Sequence, residues 1–278
     1  MDIEITYKDF VKACPVGETP DNDMFTRIRD QFEPRLFLMR GLVTHEIYDN
    51  LDTLAVEQPE PYARIRSLIV AYACVSALNV AIPQLDLVYT PTGFGVVSND
   101  NVAPASAERV AALRSQLYER EDHYLDELVD ALRPIVDWSK STHGQYLFSS
   151  LFWKADHMRL YGYERPSRAQ LVAMQPAIQE VGMRISRVIS PELYHALIKA
   201  ESRAAATPRQ EALIIMCRQA SAGLDKRPHE WRSWRMSLLT FIETYLQDFP
   251  EYAESSTYRA NHAKTYENKK DDPCFFFG

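Results

Sequence analysis

The chain has 278 residues, of which 46% are apolar and 25% are charged, and its formal net charge is −7. These proportions are typical of a globular protein with one large domain or two domains of ordinary size. The acidic balance argues against a broad nucleic-acid-binding face, which needs clustered Lys and Arg. The N-terminal residues lack the features of a secretory signal, and the longest apolar stretch, 67–82, is too short to cross a bilayer. We therefore expect no membrane contact.

Helical signals dominate the first third of the chain. Thr6 with Asp9 is spaced to cap a short first helix, and Thr44 is a candidate N-cap for a later one. A long helix with an apolar stripe follows from Pro61, and Pro83 is expected to end it because proline disrupts a helix interior.

Residues 85–98 carry the strongest β signal. Apolar and polar residues alternate on both sides of Pro91-Thr92-Gly93, which is typical of a turn. This pattern predicts a β-hairpin. Because an isolated hairpin is marginally stable in water, we expect it to contact another chain. The residues predicted to make this contact are Leu87, Tyr89, Phe94 and Val96.

One helical unit occurs twice, at a constant offset of 146 residues. Residues 43–51 (VTHEIYDNL) match residues 189–197 (ISPELYHAL), which pairs Thr44 with Ser190. The same offset, with no gap, also aligns the loop and the alanine-rich helix that follow in each half. Internal repeats of this kind determine architecture. We therefore predict two related helical bundles with Thr44 and Ser190 at equivalent helix starts, and a hairpin specific to the first bundle.

The two halves differ in charge. Residues 1–150 contain 13 Lys and Arg against 23 Asp and Glu, whereas residues 151–278 contain 18 against 15. One interpretation is that the acidic half only aids solubility. The other is that it faces the less acidic half of the next subunit in a head-to-tail ring.

No residue pattern indicates catalysis or metal binding. The seven histidines lack metal-ligand spacing, and no GxSxG, Walker-type or GxGxxG motif is present. The four cysteines lack CxxC spacing, and Cys74 and Cys217 fall in apolar helical stretches, as expected for core thiols in a reducing compartment. Trp231 and Trp234 could stack on bases, but they also complete an amphipathic helix. We expect no enzyme activity, no cofactor, no metal and no sequence-specific nucleic-acid binding.

The segment 268–278 contains three consecutive phenylalanines after two aspartates. These side chains cannot all face one core, and exposed they would promote aggregation. Ordering the backbone costs about 1–2 kcal/mol per residue, whereas burying a phenylalanine returns roughly 1.5–3 kcal/mol. Firm docking therefore needs a preformed groove. We predict that Phe275, Phe276 and Phe277 dock on another subunit or a partner, with docking on their own domain as the alternative.

With these residues in view, the chain resembles an uncharacterised family encoded by phages and prophages of gut Bacteroidales. The resemblance rests on 44–48 (THEIY), 85–98 (LDLVYTPTGFGVVS), 101–106 (NVAPAS) and the Asp-Asp and triple-Phe segment. More distantly, each half is similar in helix order to the head–tail connector (adaptor) proteins of tailed phages. The resemblance implies a ring-forming virion component between portal and tail, with no catalytic residues to carry over. The chain departs from simple connectors in holding two such units.

Together these inferences predict a mainly α protein with a hairpin at 85–98. The predicted parts are a first bundle over 1–138, an aromatic connection over 139–166, a second bundle over 167–267 and a tail over 268–278. We expect a homo-oligomeric ring that contacts portal and tail proteins, is assembled in the bacterial cytoplasm and is located in the virion. The alternative is a host regulatory or protein-binding helical module without catalytic activity, and an enzyme comes third.

Overall fold

The computed structural model describes the backbone of residues 3–14, 23–85, 87–90, 93–96 and 106–263, and the side chains of these ranges apart from 23, 87–90 and 93–96. The described elements are α1 (Tyr7–Ala13), α2 (Asp23–Ile28), α3 (Phe32–Val43), α4 (His45–Asp49), α5 (Leu51–Glu57), α6 (Pro59–Leu85), β1 (Leu87–Thr90), β2 (Gly93–Val96), α7 (Ala107–Leu132), α8 (Val136–Lys140), α9 (Thr142–Leu147), α10 (Arg168–Ile189), α11 (Pro191–Ser202), α12 (Pro208–Lys226), α13 (Trp231–Thr244), α14 (Pro250–Ala253) and α15 (Ser256–Asn261). The prediction of a mainly α protein is confirmed.

The chain divides into two compact units. Unit 1 consists of Met1–Leu147, Trp153–Met158 and Glu164–Val172, and unit 2 consists of Phe148–Phe152, Arg159–Tyr163 and Ala173–Gly278. The segment 139–166, which the sequence indicated as a connection, therefore supplies residues to both units.

Helix α6 forms the centre of unit 1. Helices α1, α3, α5 and α7 pack against it, and every residue from Tyr72 to Asn79 is buried. A helix that is buried on all sides is expected to be apolar all round. Among the described helices, α6 alone is long and apolar enough to cross a membrane, but 72% of its apolar window is buried inside the protein. This burial indicates a core helix.

Unit 2 is built on packing between α11, α12, α13 and α14. Helix α11 buries Leu193 and Leu197, and α13 buries Leu238 and Ile242. The large aromatic residue Tyr252, on α14, is fully buried as well. These apolar side chains recur every three or four residues, which is the spacing that places them on one face of a helix.

The prediction of a β-hairpin over 85–98 needs correction. Helix α6 continues through Pro83 to Leu85, so the predicted strand start at Leu85 is helical. Beyond it, the described backbone contains two four-residue segments, β1 and β2, paired antiparallel from Leu87 opposite Val96 to Thr90 opposite Gly93. Strands this short form no β layer by themselves. The architecture is therefore helical, and the prediction of a β-hairpin that extends over 85–98 is wrong.

The start of α3 and the start of α4 differ from regular capped helices. Pro34 lies in the first turn of α3, after a 3₁₀ turn at Arg29–Gln31, where its missing N–H breaks no helical hydrogen bond. Thr44 does precede α4, but its side chain makes no capping hydrogen bond, so its predicted role as an N-cap is wrong.

The equivalence of Thr44 and Ser190 is confirmed. Each residue separates two helices, α3 from α4 and α10 from α11, and each has a positive φ, 83° and 80° respectively. The ungapped offset of 146 fails in the following helix, because Ile69 is fully buried whereas Ile215, its counterpart, is 51% exposed. The shared helix order therefore supports a duplication whose register shifts in the third helix.

Candidate interaction groove

The N-terminal residues are held beside α1 by a capping box. The Asp9 N–H donates to Thr6 Oγ1 at 3.3 Å, and the Thr6 N–H donates to Asp9 Oδ2 at 3.0 Å. These bonds satisfy backbone donors that the first turn of a helix leaves unpaired, and they confirm the predicted cap. Ile3 is buried, so residues 3–6 are anchored at both ends.

A groove of about 960 Å³ lies between residues 3–6, α2 and α3 in unit 1. This volume is at the upper end of the range of about 300–1,000 Å³ that is usual for ligand sites. Its lining is mainly apolar and comprises Ile3, Glu4, Ile5, Thr6, Phe25, Arg29, Phe32, Glu33, Pro34, Leu36, Phe37, Arg40 and Tyr48.

Aromatic side chains form the inner wall of the groove. Phe25 lies with its ring centroid 5.4 Å from that of Phe32, 5.8 Å from that of Phe10 and 6.0 Å from that of Tyr7. These separations are within the range of favourable aromatic pairs. At the rim, the Phe37 side chain is 68% exposed. A rigid aromatic wall with an exposed phenylalanine at its edge is suited to binding apolar side chains.

Two guanidinium groups and two carboxylates make up the charged part of the lining. Arg40 Nη2 donates to Asp49 Oδ2 at 2.6 Å, and this hydrogen bond lowers the pKa of the Asp49 carboxyl below its ordinary value. Arg29 lies in the lining near Phe25 and Phe32, and Glu4 and Glu33 supply the negative charges. The groove can therefore pair with charges of either sign beside an apolar centre.

Unit 1 buries further ionisable groups away from the groove. Asn79 Nδ2 donates to Glu121 Oε1 at 2.9 Å, and burial raises the pKa of Glu121. Asp126 accepts hydrogen bonds from Arg168 Nη2 and from the Ala155 N–H, both at 2.8 Å, and burial raises its pKa too. None of these groups lines the groove, so we assign them to internal packing.

Unit 2 contains a comparable buried ion pair. Arg218 Nη2 donates to Glu201 Oε1 at 2.7 Å, and Arg218 Nε donates to the Leu151 carbonyl oxygen at 2.8 Å. Burial raises the pKa of the neighbouring Cys217 thiol to about 12. A thiol with so high a pKa carries almost no thiolate at neutral pH and is a poor nucleophile.

Within the described part of the chain, no group of three or more His, Cys, Asp and Glu side chains could hold a metal ion. The groove lining contains no His or Cys, and its one hydroxyl group outside Tyr48, that of Thr6, accepts the capping bond.

The residues predicted from sequence to make contacts are not part of this groove. The backbone at Leu87, Tyr89, Phe94 and Val96 belongs to β1 and β2, but their side chains lie outside the described residues. Phe275, Phe276 and Phe277 lie outside them altogether.

Sequence reasoning missed the groove, although α3 carried a usable signal. Residues 36–39, Leu-Phe-Leu-Met, are four consecutive apolar residues on a helix. Successive residues point about 100° apart, so at least one of the four must face away from the core. Phe37 and Leu38 are the exposed ones. The position of Phe37 is also exposed and apolar in the second copy, where Met183 is its counterpart and is 57% exposed.

One region of the chain matches the model of a known protein family. Residues 37–145 match the model of a family described as a family of unknown function, DUF6712. No curated protein and no solved structure matches the chain. The matched region begins at Phe37 and covers most of the helices of unit 1.

Proposed function

We propose that this protein is a structural assembly component of a phage or prophage particle and forms a ring at the head–tail interface. The observation that carries the proposal is the repeated helix–Thr/Ser–helix corner, with nearly identical backbone angles at Thr44 and Ser190. A duplicated packing unit of this kind would serve architecture, since each copy can present the same surface to a neighbour.

Exposed apolar side chains support this assembly role. Phe37 and Met183 occupy equivalent positions in the two copies, and both are more than half exposed. Single exposed apolar residues are common on protein surfaces. Phe37, however, borders a large aromatic groove, and such patches mark interaction sites. In a ring, each copy of the chain would bury this surface against a neighbour.

Native mass spectrometry and negative-stain electron microscopy of the purified protein test the proposal. We expect closed rings of a single stoichiometry, formed either alone or after addition of the proteins encoded by neighbouring genes. Salt should weaken the rings if the charge difference between the halves contributes to assembly. A chain that stays monomeric both alone and with every neighbouring gene product would contradict the proposal.

The groove also favours a second candidate, a protein-binding helical module without catalytic activity. In that role a monomeric chain would hold one partner in the groove between residues 3–6 and α3. The same measurement separates the two candidates, since a binding module would give a 1:1 complex with its partner and no ring.

A further inference from the structure

We propose that the groove between residues 3–6, α2 and α3 binds the segment Asp271–Phe277 of a second copy of this chain. This inference rests on the proposed self-assembly and names the contact that would produce it. The occupant is a segment of the chain outside the described residues, and the groove is a site in unit 1.

The apolar part of the segment matches the wall of the groove. Phe275, Phe276 and Phe277 present three aromatic rings in succession. The groove offers Phe25, Phe32 and the exposed rim residue Phe37, and its volume of about 960 Å³ can hold several rings. Rings from the two sides can adopt the tilted or edge-on pairs that aromatic side chains prefer.

The charges of the segment match the charged part of the lining. Arg40 is already paired with Asp49, so Arg29 is the cation that the proposal assigns to Asp272. In an extended chain, Asp272 and Phe275 are about 10 Å apart. The groove, with the volume of a cube about 10 Å on each edge, is wide enough for this separation. The carboxylate can therefore reach the guanidinium while the first ring enters the aromatic part.

A second copy is the occupant that a ring requires, and the charge difference between the two halves of the chain is compatible with contact between copies. The half that contains the groove is acidic, with 13 Lys and Arg against 23 Asp and Glu over residues 1–150. The half that carries the segment has the opposite balance, with 18 against 15 over residues 151–278. Head-to-tail contact brings these unlike halves together, and a contact of this type repeats until a ring closes.

Two variants of the full-length chain test the inference, one with a defective groove and one with a defective segment. The first variant is Phe37→Asp, which disables the groove. The second combines Phe275→Ala, Phe276→Ala and Phe277→Ala, which disables the segment. The control is Val56→Asp, at a position that is 82% exposed and does not line the groove. Circular dichroism establishes that each variant is folded, and sedimentation velocity over a concentration series gives the dissociation constants for self-association.

We expect both defective variants to self-associate at least tenfold more weakly than the wild type, and the control to match the wild type. A mixture of the two defective variants should form a complex of two chains and no larger species, because only one intact groove and one intact segment meet. A mixture that stays monomeric would overturn the inference, as would Phe37→Asp assembling like the wild type, or a wild type that does not self-associate. Wild-type rings that are insensitive to all these substitutions would overturn it while leaving the proposed function in place.

Discussion

Thr44 and Ser190 share an uncommon backbone conformation although 146 residues separate them. The angles are φ 83°, ψ 144° at Thr44 and φ 80°, ψ 143° at Ser190. In each case the carbonyl oxygen accepts a bond from the N–H four residues on, that of Tyr48 at 3.0 Å and that of Tyr194 at 3.1 Å. Conformations near this region are adopted almost only by glycine. The match supports the origin of the two halves from one helical unit.

Glycine substitutions at these two corners should have different effects. Thr44→Gly removes backbone strain of about 1–3 kcal/mol without losing a cap, because the Thr44 side chain makes no capping bond. We expect the free energy of unfolding to rise. Ser190→Gly relieves similar strain but removes the hydroxyl that accepts from the Leu193 N–H at 3.1 Å, so the gain should be smaller. Urea unfolding of both variants measures the difference, and a destabilised Thr44→Gly would contradict the strain assignment.

Two helical glycines make a second matched pair. A Cβ at Gly182 would lie 2.6 Å from Tyr194 Oη, whereas a Cβ at Gly41 would meet no atom within 4 Å. Gly182→Ala should therefore destabilise the protein by about 1–3 kcal/mol through overpacking. Gly41→Ala should stabilise it by roughly 0.5–1 kcal/mol, because alanine favours the helix. Thermal unfolding tests both signs, and equal effects at the two positions would show that the contact with Tyr194 is unimportant.

The buried ion pair of unit 2 should be far more important for stability than an exposed one. Glu201→Ala leaves Arg218 buried without its carboxylate, which should cost about 3–5 kcal/mol. The control is Glu180→Ala, because Glu180 and Arg184 form a pair at 2.6 Å that is more than half exposed. We expect the control to change the free energy of unfolding by less than about 1 kcal/mol. Chemical denaturation gives both values, and a mild Glu201→Ala effect would mean that the site relaxes or admits water.

Stability should fall as pH rises, in part because of Glu121. Burial raises the pKa of its carboxyl, against a smaller lowering by the hydrogen bond from Asn79. Between the unfolded value of about 4.3 and this raised folded value, the folded state binds more protons than the unfolded state. The stabilisation is therefore complete below the unfolded pKa and is lost as pH rises through the folded pKa.

Glu121→Gln tests this pH dependence because it keeps an oxygen that can accept from Asn79. We expect the variant to show a flatter decline of the unfolding free energy with pH than the wild type. The decline should not vanish, since burial also raises the pKa of Asp122 and of Asp126. Glu119→Gln, an exposed position on the same helix, should leave the slope unchanged. An identical slope in Glu121→Gln and the wild type would disprove the assignment.

Most of the helical fold could be predicted from the sequence, because caps and apolar spacing act locally. Thr6 with Asp9 and Ser190 with Leu193 are short-range contacts, and their signals were correct. Pro83 was expected to end α6, and the helix continues only two residues past it, to Leu85. The β pattern overstated the extent of the hairpin, since β1 and β2 have only four residues each and α6 reaches Leu85.

The groove could not be predicted, because its walls come from segments whose proximity depends on tertiary packing. Residues 3–6, Phe25 and Phe37 lie on separate elements, and no local pattern relates them. The buried Arg218 and Glu201 are likewise 17 residues apart on different helices. Only the presence of an exposed apolar residue near Phe37 could have been predicted from sequence, because α3 has four apolar residues in a row.

The most direct test of the central claim is to purify particles from a strain that carries this gene and measure the protein in them. Quantitative mass spectrometry should find it at a constant ratio to the portal protein, and gold-labelled antibodies should mark the junction of head and tail. A protein that is abundant in the cells but missing from the particles would contradict a structural role in the virion.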